Sequence, residues 1–487
     1  MLQETVDIIS IPLTLIFISS LEEGHVPAVW RQANVAPVFK KGSKSSVSNY
    51  RPISLTCIIC KVMESLVRDA IVEHLETNLL INASQHGFMR RKSCLTNLLE
   101  YLEVLTKLVD DGHSVDIIYL DFAKAFDKVP HQRLALKLKA HGINGKILVW
   151  IEAWLADRKQ RVVLNGKYSQ WQPVDSGVPQ GSVLGPTLFV LFINDIDDAI
   201  DALTGIISKF ADDTKVGRCV ENDADHDLLQ SELDGLVQWA DTWQMSFNAT
   251  KCKVIHFGKK NPERDYTMGG HAPGGQILEK TTEEKDVGVM VSNTLKPSAQ
   301  CAKAAKKANQ VLGQMSRGLH FRDKFTWIRL YRQYCLPHMD YCSQSWCPWT
   351  QGDINLLESV QERAVRMVSG LKGKTHHEKL KEVGLTTLED RRTRGDMIQV
   401  WKTLHQKDDV NPETWFTPAH GQRLGIATRH TRDMWNLKRS VPNEQFRREF
   451  WSIRSVDTWN ELPTDLKSAE TLNAFKNGYD KLHLNTT

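Results

Sequence analysis

The chain has 487 residues, 41% hydrophobic and 25% charged, an ordinary globular mixture that excludes a mostly disordered chain, a collagen-like chain and a coiled-coil rod. At roughly 150 residues per domain, this length suggests about three folding units. The 62 basic and 58 acidic side chains leave a net charge of only +4, so a nucleic-acid partner has to be argued from where the cations cluster.

A first helix with Leu13, Phe17 and Leu21 on one side is followed by an extended piece over residues 34–39. Lys40, Lys41, Gly42 and Lys44 then form a basic connector. The apolar run over 8–20 contains Pro12 and is too short to span a bilayer. Glu4 and Asp7 precede it where a secretory signal carries cations, so an intracellular chain with no membrane partner is expected. Nine scattered cysteines agree with a reducing compartment. Cys57 and Cys60 have CxxC spacing but no second pair nearby, and no zinc site is expected there.

Apolar spacing predicts a helix over 58–79, with Val62, Leu66, Ala70, Ile71 and Leu75 inward, and another over 95–109. Residues 115–122, β-branched and aromatic after Asp111-Gly112, read as a buried strand. Helices over 132–140 and 145–155 and a hairpin around Asn165-Gly166 come next. Residues 205–220 read as strand, acidic turn, strand; a helix over 227–245, a strand over 252–257 and an exposed loop over 262–276 follow. From about Ser298 the pattern becomes helical and basic. Between Lys303 and Arg332 there are eight cations and one acid, Asp323. Nearer the C-terminus Arg391, Arg392, Arg394, Arg423, Arg429, Arg432, Arg439, Arg447 and Arg448 interleave with Trp401, Trp415, Trp435, Phe446 and Trp451. That mixture either stacks on single-stranded RNA or is the core of a small helical domain, and core is the favoured reading for the tryptophans.

Three pieces carry chemistry: Tyr119-Leu120-Asp121-Phe122, Ser176 to Ser182 (SGVPQGS), and Phe210-Ala211-Asp212-Asp213. Nucleotidyl transfer uses two divalent cations about 4 Å apart. Hard cations such as Mg²⁺ take oxygen ligands and keep several waters, so two or three carboxylates suffice. An aspartate ending one strand and another in an adjacent hairpin turn meet on one edge of a sheet. Asp-Asp alone decides nothing, because Asp110-Asp111, Asp197-Asp198 and Asp408-Asp409 repeat it in polar settings that read as solvated surface.

The order and content of the pieces resemble the reverse transcriptases of non-LTR (LINE-like) retrotransposons, jockey-like branch. The matching residues are Asn49 to Leu55 (NYRPISL), Gln85-His86-Gly87-Phe88, Asp121 to His131 (DFAKAFDKVPH) and Ser176 to Pro186 (SGVPQGSVLGP). They continue through Phe192 to Asp195 (FIND), Phe210 to Thr214 (FADDT) and Asn248 to Phe257 (NATKCKVIHF). The last are Lys285 to Val289 (KDVGV), Pro337 to Pro348 (PHMDYCSQSWCP), Arg391 to Ile398 (RRTRGDMI) and Trp459 to Pro463 (WNELP).

This resemblance implies an α+β right-hand polymerase fold: an N-terminal extension over 1–45, fingers and palm over 46–285, a thumb over 286–375 and a basic, mostly helical C-terminal region over 376–487. It implies an RNA-directed DNA polymerase that extends a primer 3′-OH on an RNA template with dNTPs and two Mg²⁺, with Mn²⁺ an alternative ion. Asp121, Asp212 and Asp213 match the metal-binding aspartates, and Phe122 supplies a backbone carbonyl. Phe126 matches the aromatic gate against a ribose 2′-OH; the bland reading is a core ring. Gln180 and Gly181 match the loop beside the incoming nucleotide, where glycines at 177 and 181 let backbone approach a base or sugar. Lys251 matches a lysine that protonates pyrophosphate, or is a surface lysine. Arg51 and Lys61 match the fingers segment that clamps the triphosphate, unless Arg51 pairs internally. The thumb cations would track an RNA–DNA duplex.

Family members usually carry an endonuclease ahead of the polymerase. Forty-five residues leave no room for one, so an endonuclease is expected from another source. The nucleus, with a cytoplasmic RNA-bound stage, is the implied location. The alternative function is a catalytically silent, transposon-derived nucleic-acid-binding remnant. Cys335, His338, Cys342 and Cys347 fit no zinc pattern and read as buried thiols.

Overall fold

Strand Val115–Leu120 is the centre of the main sheet because it is apolar on both faces and pairs on both edges. In the computed structural model, which describes residues 4–201, 205–269, 275–419 and 435–484, it lies antiparallel to Asp213–Cys219 on one side and to Lys253–Phe257 on the other. Ile206–Phe210 and Glu279–Lys280 complete five strands at the two edges. Alternation along the strand serves two cores. Ile118 and Leu120 join Val216, Val254 and the helices Gly185–Phe192 and Asp223–Thr242. Val115 and Ile117 face helix Cys94–Asp110 together with Trp401, Trp451, Trp459 and Phe475 of the C-terminal region. Those tryptophans are core, as expected, and the C-terminal region is built onto the back of the main sheet.

A second sheet holds the strands expected to belong to the fingers. Gln32–Phe39 runs antiparallel to Tyr50–Leu55 and parallel to Arg158–Leu164. Asn165 and Gly166 turn the last strand back with φ of 49° and 76°, as the Asn-Gly pair predicts. The third core gathers Ala304, Ala308 and Leu312 of helix Ser298–Gly318 with Trp327, Tyr331, Leu357 and Val360. Two expected boundaries cut through hairpins. Residue 45 lies between the paired strands Gln32–Phe39 and Tyr50–Leu55, and residue 285 lies inside Glu283–Asp286, which pairs with Val289–Ser292. Backbone hydrogen bonds therefore cross both divisions. No helix among the described residues is long and apolar enough to cross a membrane.

Three expectations are corrected. Helix Ile58–Thr77 buries Cys60, Met63, Glu64, Val67, Ile71 and Leu75, while Val62 and Leu66 are exposed. The acid Glu64 masks the true stripe: its carboxylate is buried because it accepts from the backbone of Val183 and Leu184 at 2.7 and 3.2 Å. The stretch over 262–276 is not simply an exposed loop; Tyr266 is fully buried and donates to the buried carboxylate of Asp116 at 2.6 Å. The C-terminal arginines are largely spoken for. Arg391 pairs with Asp340, Arg394 with Asp480, Arg439 with Asp457 and the buried Arg447 with Glu103. Arg423, Arg429 and Arg432 lie outside the described residues.

Candidate active site

The strand register brings the acids together. Leu120 pairs with Thr214, so Asp121 at the end of one strand lies beside Asp213 at the start of the next. Asp212 occupies the two-residue turn that joins Phe210 to Asp213. The backbone of Asp121 is held from both sides, its N–H directed at Cys252 Sγ at 3.4 Å and its carbonyl accepting from Asn248 N at 2.7 Å.

The turn is braced by residues to which sequence reasoning gave no role. Gln85 Oε1 accepts from the N–H of Ala211 at 2.9 Å and of Gly87 at 2.7 Å. His86 N donates to Lys209 O, and Lys209 N donates to Ser84 O, each at 2.9 Å. A Cβ on Gly87 would stand 2.2 Å from Ala211 N, so only glycine lets the two backbones touch. The Gln85 to Phe88 motif was the available signal.

Charge accumulates here. Burial first, and then the charge of Asp121, push the Asp212 carboxyl above the usual range, while Lys40 and Arg51 act in the opposite sense. Asp213 has an exposed side chain at the sheet edge but is crowded on its inner side. That desolvation, followed by the charges of Asp212, Asp286 and Asp121, pushes its carboxyl up to about 6. Lys251 Nζ donates to Asp121 Oδ1 at 3.0 Å. A cavity of about 120 Å³ opens beside the group, walled by Asp121, Asp213, Lys251, Glu284 and Val287. Behind it Lys215 is buried between Asp286 and Asn97 and lies 4.2 Å over the ring of Tyr101.

No three His, Cys, Asp or Glu side chains among the described residues converge closely enough to form a ready-made metal cage. The donor set nevertheless fits a hydrated hard cation, which needs only one or two carboxylates. The raised carboxyls mark burial first and mutual repulsion second, and a bound cation would offset both.

The other expected residues fall as follows. Phe126 is half-buried, stacked on Phe189 at 4.4 Å and edge-on to Phe88 at 6.3 Å. Phe122 is buried against Phe247 at 4.4 Å. Gln180 O accepts from Ser54 N at 2.7 Å, which fastens the 176–182 loop to strand Tyr50–Leu55. The glycines of that loop lie close against protein neighbours. A Cβ at Gly177 would meet the Asp127 backbone at 2.6 Å, and one at Gly181 would meet Ser54 O at 2.7 Å. Arg51 is exposed on its strand and its charge reaches Asp212. Lys61 sits in the first turn of helix Ile58–Thr77 and makes no ion pair among the described residues.

A family model described as reverse transcriptase (RNA-dependent DNA polymerase) matches residues 39–311, more than half of the chain. The RNA-directed DNA polymerase from mobile element jockey of Drosophila melanogaster is 27% identical over 372 residues, 74% of this chain and 40% of that protein. Its Drosophila funebris counterpart is 28% identical over 451 residues, 89% of this chain and 47% of that protein. Among solved structures, a telomerase from Candida albicans aligns over 76% of this chain and 68% of that chain, at 10% identity and a TM-score of 0.42. The chain thus spans less than half the length of the two curated relatives.

Proposed function

From the premise that this chain belongs to the reverse transcriptase (RNA-dependent DNA polymerase) family, we propose that it extends a primer 3′-OH along an RNA template with dNTPs. The observation that carries the reading is the meeting of Asp121 with the Asp212–Asp213 turn across one pair of strands. Asp121, Asp212 and the Phe122 carbonyl would hold two Mg²⁺ or Mn²⁺ ions, with Asp213 at their edge. Such ions, when bound, lower the pKa of an attacking hydroxyl and neutralise a leaving pyrophosphate.

The remaining roles belong to the chain itself. Lys40 and Arg51, the cations acting on Asp212, draw the triphosphate toward that end of the site. Phe126, held by Phe189, offers a rigid ring against a ribose 2′-OH. Lys251, which donates to Asp121 Oδ1 at 3.0 Å, is placed at the carboxylates and would donate a proton to pyrophosphate. The test is primer extension on RNA with dNTPs. Asp212→Asn is expected to cut the rate by roughly a thousandfold, about 4 kcal/mol on the barrier, with primer–template binding retained. An undiminished rate would refute the assignment. Tight binding without extension by the parent chain would favour a silent remnant.

A further inference from the structure

Helix Ser298–Gly318 contains no acid and carries Lys303, Lys306, Lys307 and Arg317. Its beginning is tied to the hairpin beside the carboxylates. Gln300 Oε1 accepts from Met290 N at 3.0 Å, and Lys303 Nζ donates to Gly288 O at 2.7 Å. Its 21 residues then carry the chain about 30 Å outward to the turn over 319–323.

At that turn Phe321 and Phe325 are 77% and 75% exposed, the most exposed aromatic side chains among the described residues. The turn itself is well fastened. The Arg322 guanidinium donates to Ser316 O at 2.8 Å and Leu319 O at 3.3 Å and lies 5.3 Å over the buried ring of Trp327. Arg322 O in turn accepts from Ser369 N at 2.9 Å. Asp323, the one acid of the turn, caps helix Lys324–Leu330 by accepting from Thr326 N at 2.9 Å. The molecule therefore holds two rings away from its core on a fixed frame. Lys306, Lys307, Arg317 and Arg329 are exposed nearby in the chain and make no ion pair among the described residues. Arg329 lies one helical turn beyond Phe325, on the same exposed face.

We propose that Phe321 and Phe325 form a stacking platform for a single strand of nucleic acid whose phosphates are taken by Lys306, Lys307, Arg317 and Arg329. Every base offers a flat π face and every nucleotide a phosphate, so exposed rings flanked in the chain by unpaired cations match a strand of several nucleotides on both counts. An apolar protein groove would bury the rings and leave these charges without partners. That the strand is template RNA rests on the polymerase reading; the platform does not.

The test is anisotropy of the full chain with a labelled 20-residue oligouridylate and, in a parallel arm, oligodeoxythymidylate. The Phe321→Ala/Phe325→Ala variant is expected to bind at least about 30-fold more weakly, with an unchanged salt slope and thermal midpoint. Phe321→Trp/Phe325→Trp is expected to keep the affinity. Arg317→Gln/Arg329→Gln is expected to lower the salt slope by about 0.7 for each phosphate no longer neutralised. Stronger binding in the ribose arm would support template RNA as the occupant, and equal binding would support a platform indifferent to the sugar. Unchanged affinity in the double alanine variant overturns the proposal, as does loss of self-association with affinity intact. Primer extension is read on the same preparations. Ring-dependent binding without extension supports the platform and refutes the polymerase reading alone.

Discussion

Gly87→Ala places a methyl group against the backbone that carries Asp212. The new Cβ would lie 2.2 Å from Ala211 N and 2.9 Å from Phe210 C, where ordinary contact begins at 3.4 Å. The overlap is therefore about 1 Å. It falls on backbone, which cannot rotate aside, and the turn must retreat or the Gln85 Oε1 hydrogen bond to Ala211 N at 2.9 Å must break. A displacement of about 1 Å at a reacting centre costs about a hundredfold in rate, or about 2.7 kcal/mol. Single-turnover extension on RNA should show that loss with little change in primer–template affinity. Gly352→Ala, in helix Gln351–Arg366 with nothing within 4 Å, is the control and should be neutral. Overpacking also costs about 1–3 kcal/mol of stability, so thermal midpoints are measured alongside. Gln85→Ala is the second variant; it removes the brace without overlap and should slow extension about tenfold. Wild-type rates in both folded variants would refute the brace.

Other substitutions probe the neighbouring elements. Phe126→Ala should raise incorporation of ribonucleotides relative to deoxynucleotides in competition assays; an unchanged ratio would return the ring to a packing role against Phe189. Lys215→Met leaves Asp286 buried and unpaired and should cost about 3–5 kcal/mol in urea unfolding, while adding Asp286→Leu should recover most of it. If the double variant is as unstable as the single one, the pair is not the cause. Asp213→Asn should stabilise the metal-free chain at high pH. A carboxyl raised from 3.8 to about 6 favours the protonated native state, so the parent loses stability as pH rises from about 4 to about 6. The full shift corresponds to about 3 kcal/mol, which solvent screening of this exposed group reduces to about 1 kcal/mol at pH 8 and to about nothing at pH 4. A variant no more stable than the parent at pH 8 would contradict that sign.

Where local pattern and tertiary environment agree, the sequence was readable. Val115–Leu120 is apolar except for Asp116 and is buried on both faces, and the acidic turn between Ile206–Phe210 and Asp213–Cys219 lies where strand alternation puts it. Reading failed where a polar residue has a distant partner. Glu64 hides the inner face of its helix because the groups it accepts from, the N–H groups of Val183 and Leu184, are 119 and 120 residues away. Tyr266 stands among glycines and charges that suggest solvent, yet its hydroxyl fits the buried Asp116. Arg447 meets Glu103 across most of the chain, so composition alone left it open between RNA and the core and could not show the internal ion pair. Gly177 and Gly181 were recognisable as places where backbone comes close, and the backbones of Asp127 and Ser54 are close to them here.

The acidic site is fixed almost entirely through the backbone. Asn248 and Cys252 hold the main chain of Asp121, Gln85 holds the N–H of Ala211, and the sheet register sets Asp213. Among the described residues, only Lys251 touches a carboxylate of the three with an opposite charge. Position is thus secured without neutralising the charge, and the electrostatic stress remains available to whatever cation or phosphate binds. The same separation explains why substitutions divide into two kinds. Changes at Gly87 or Gln85 move the acids, and are expected to cost rate and stability together. Changes of Asp212 or Asp213 to asparagine are expected to leave the frame intact and remove repulsion, lowering the rate while the fold is held as well or better. Stabilisation of the chain by loss of either carboxylate would mean that these acids are kept for their chemistry and not for its stability.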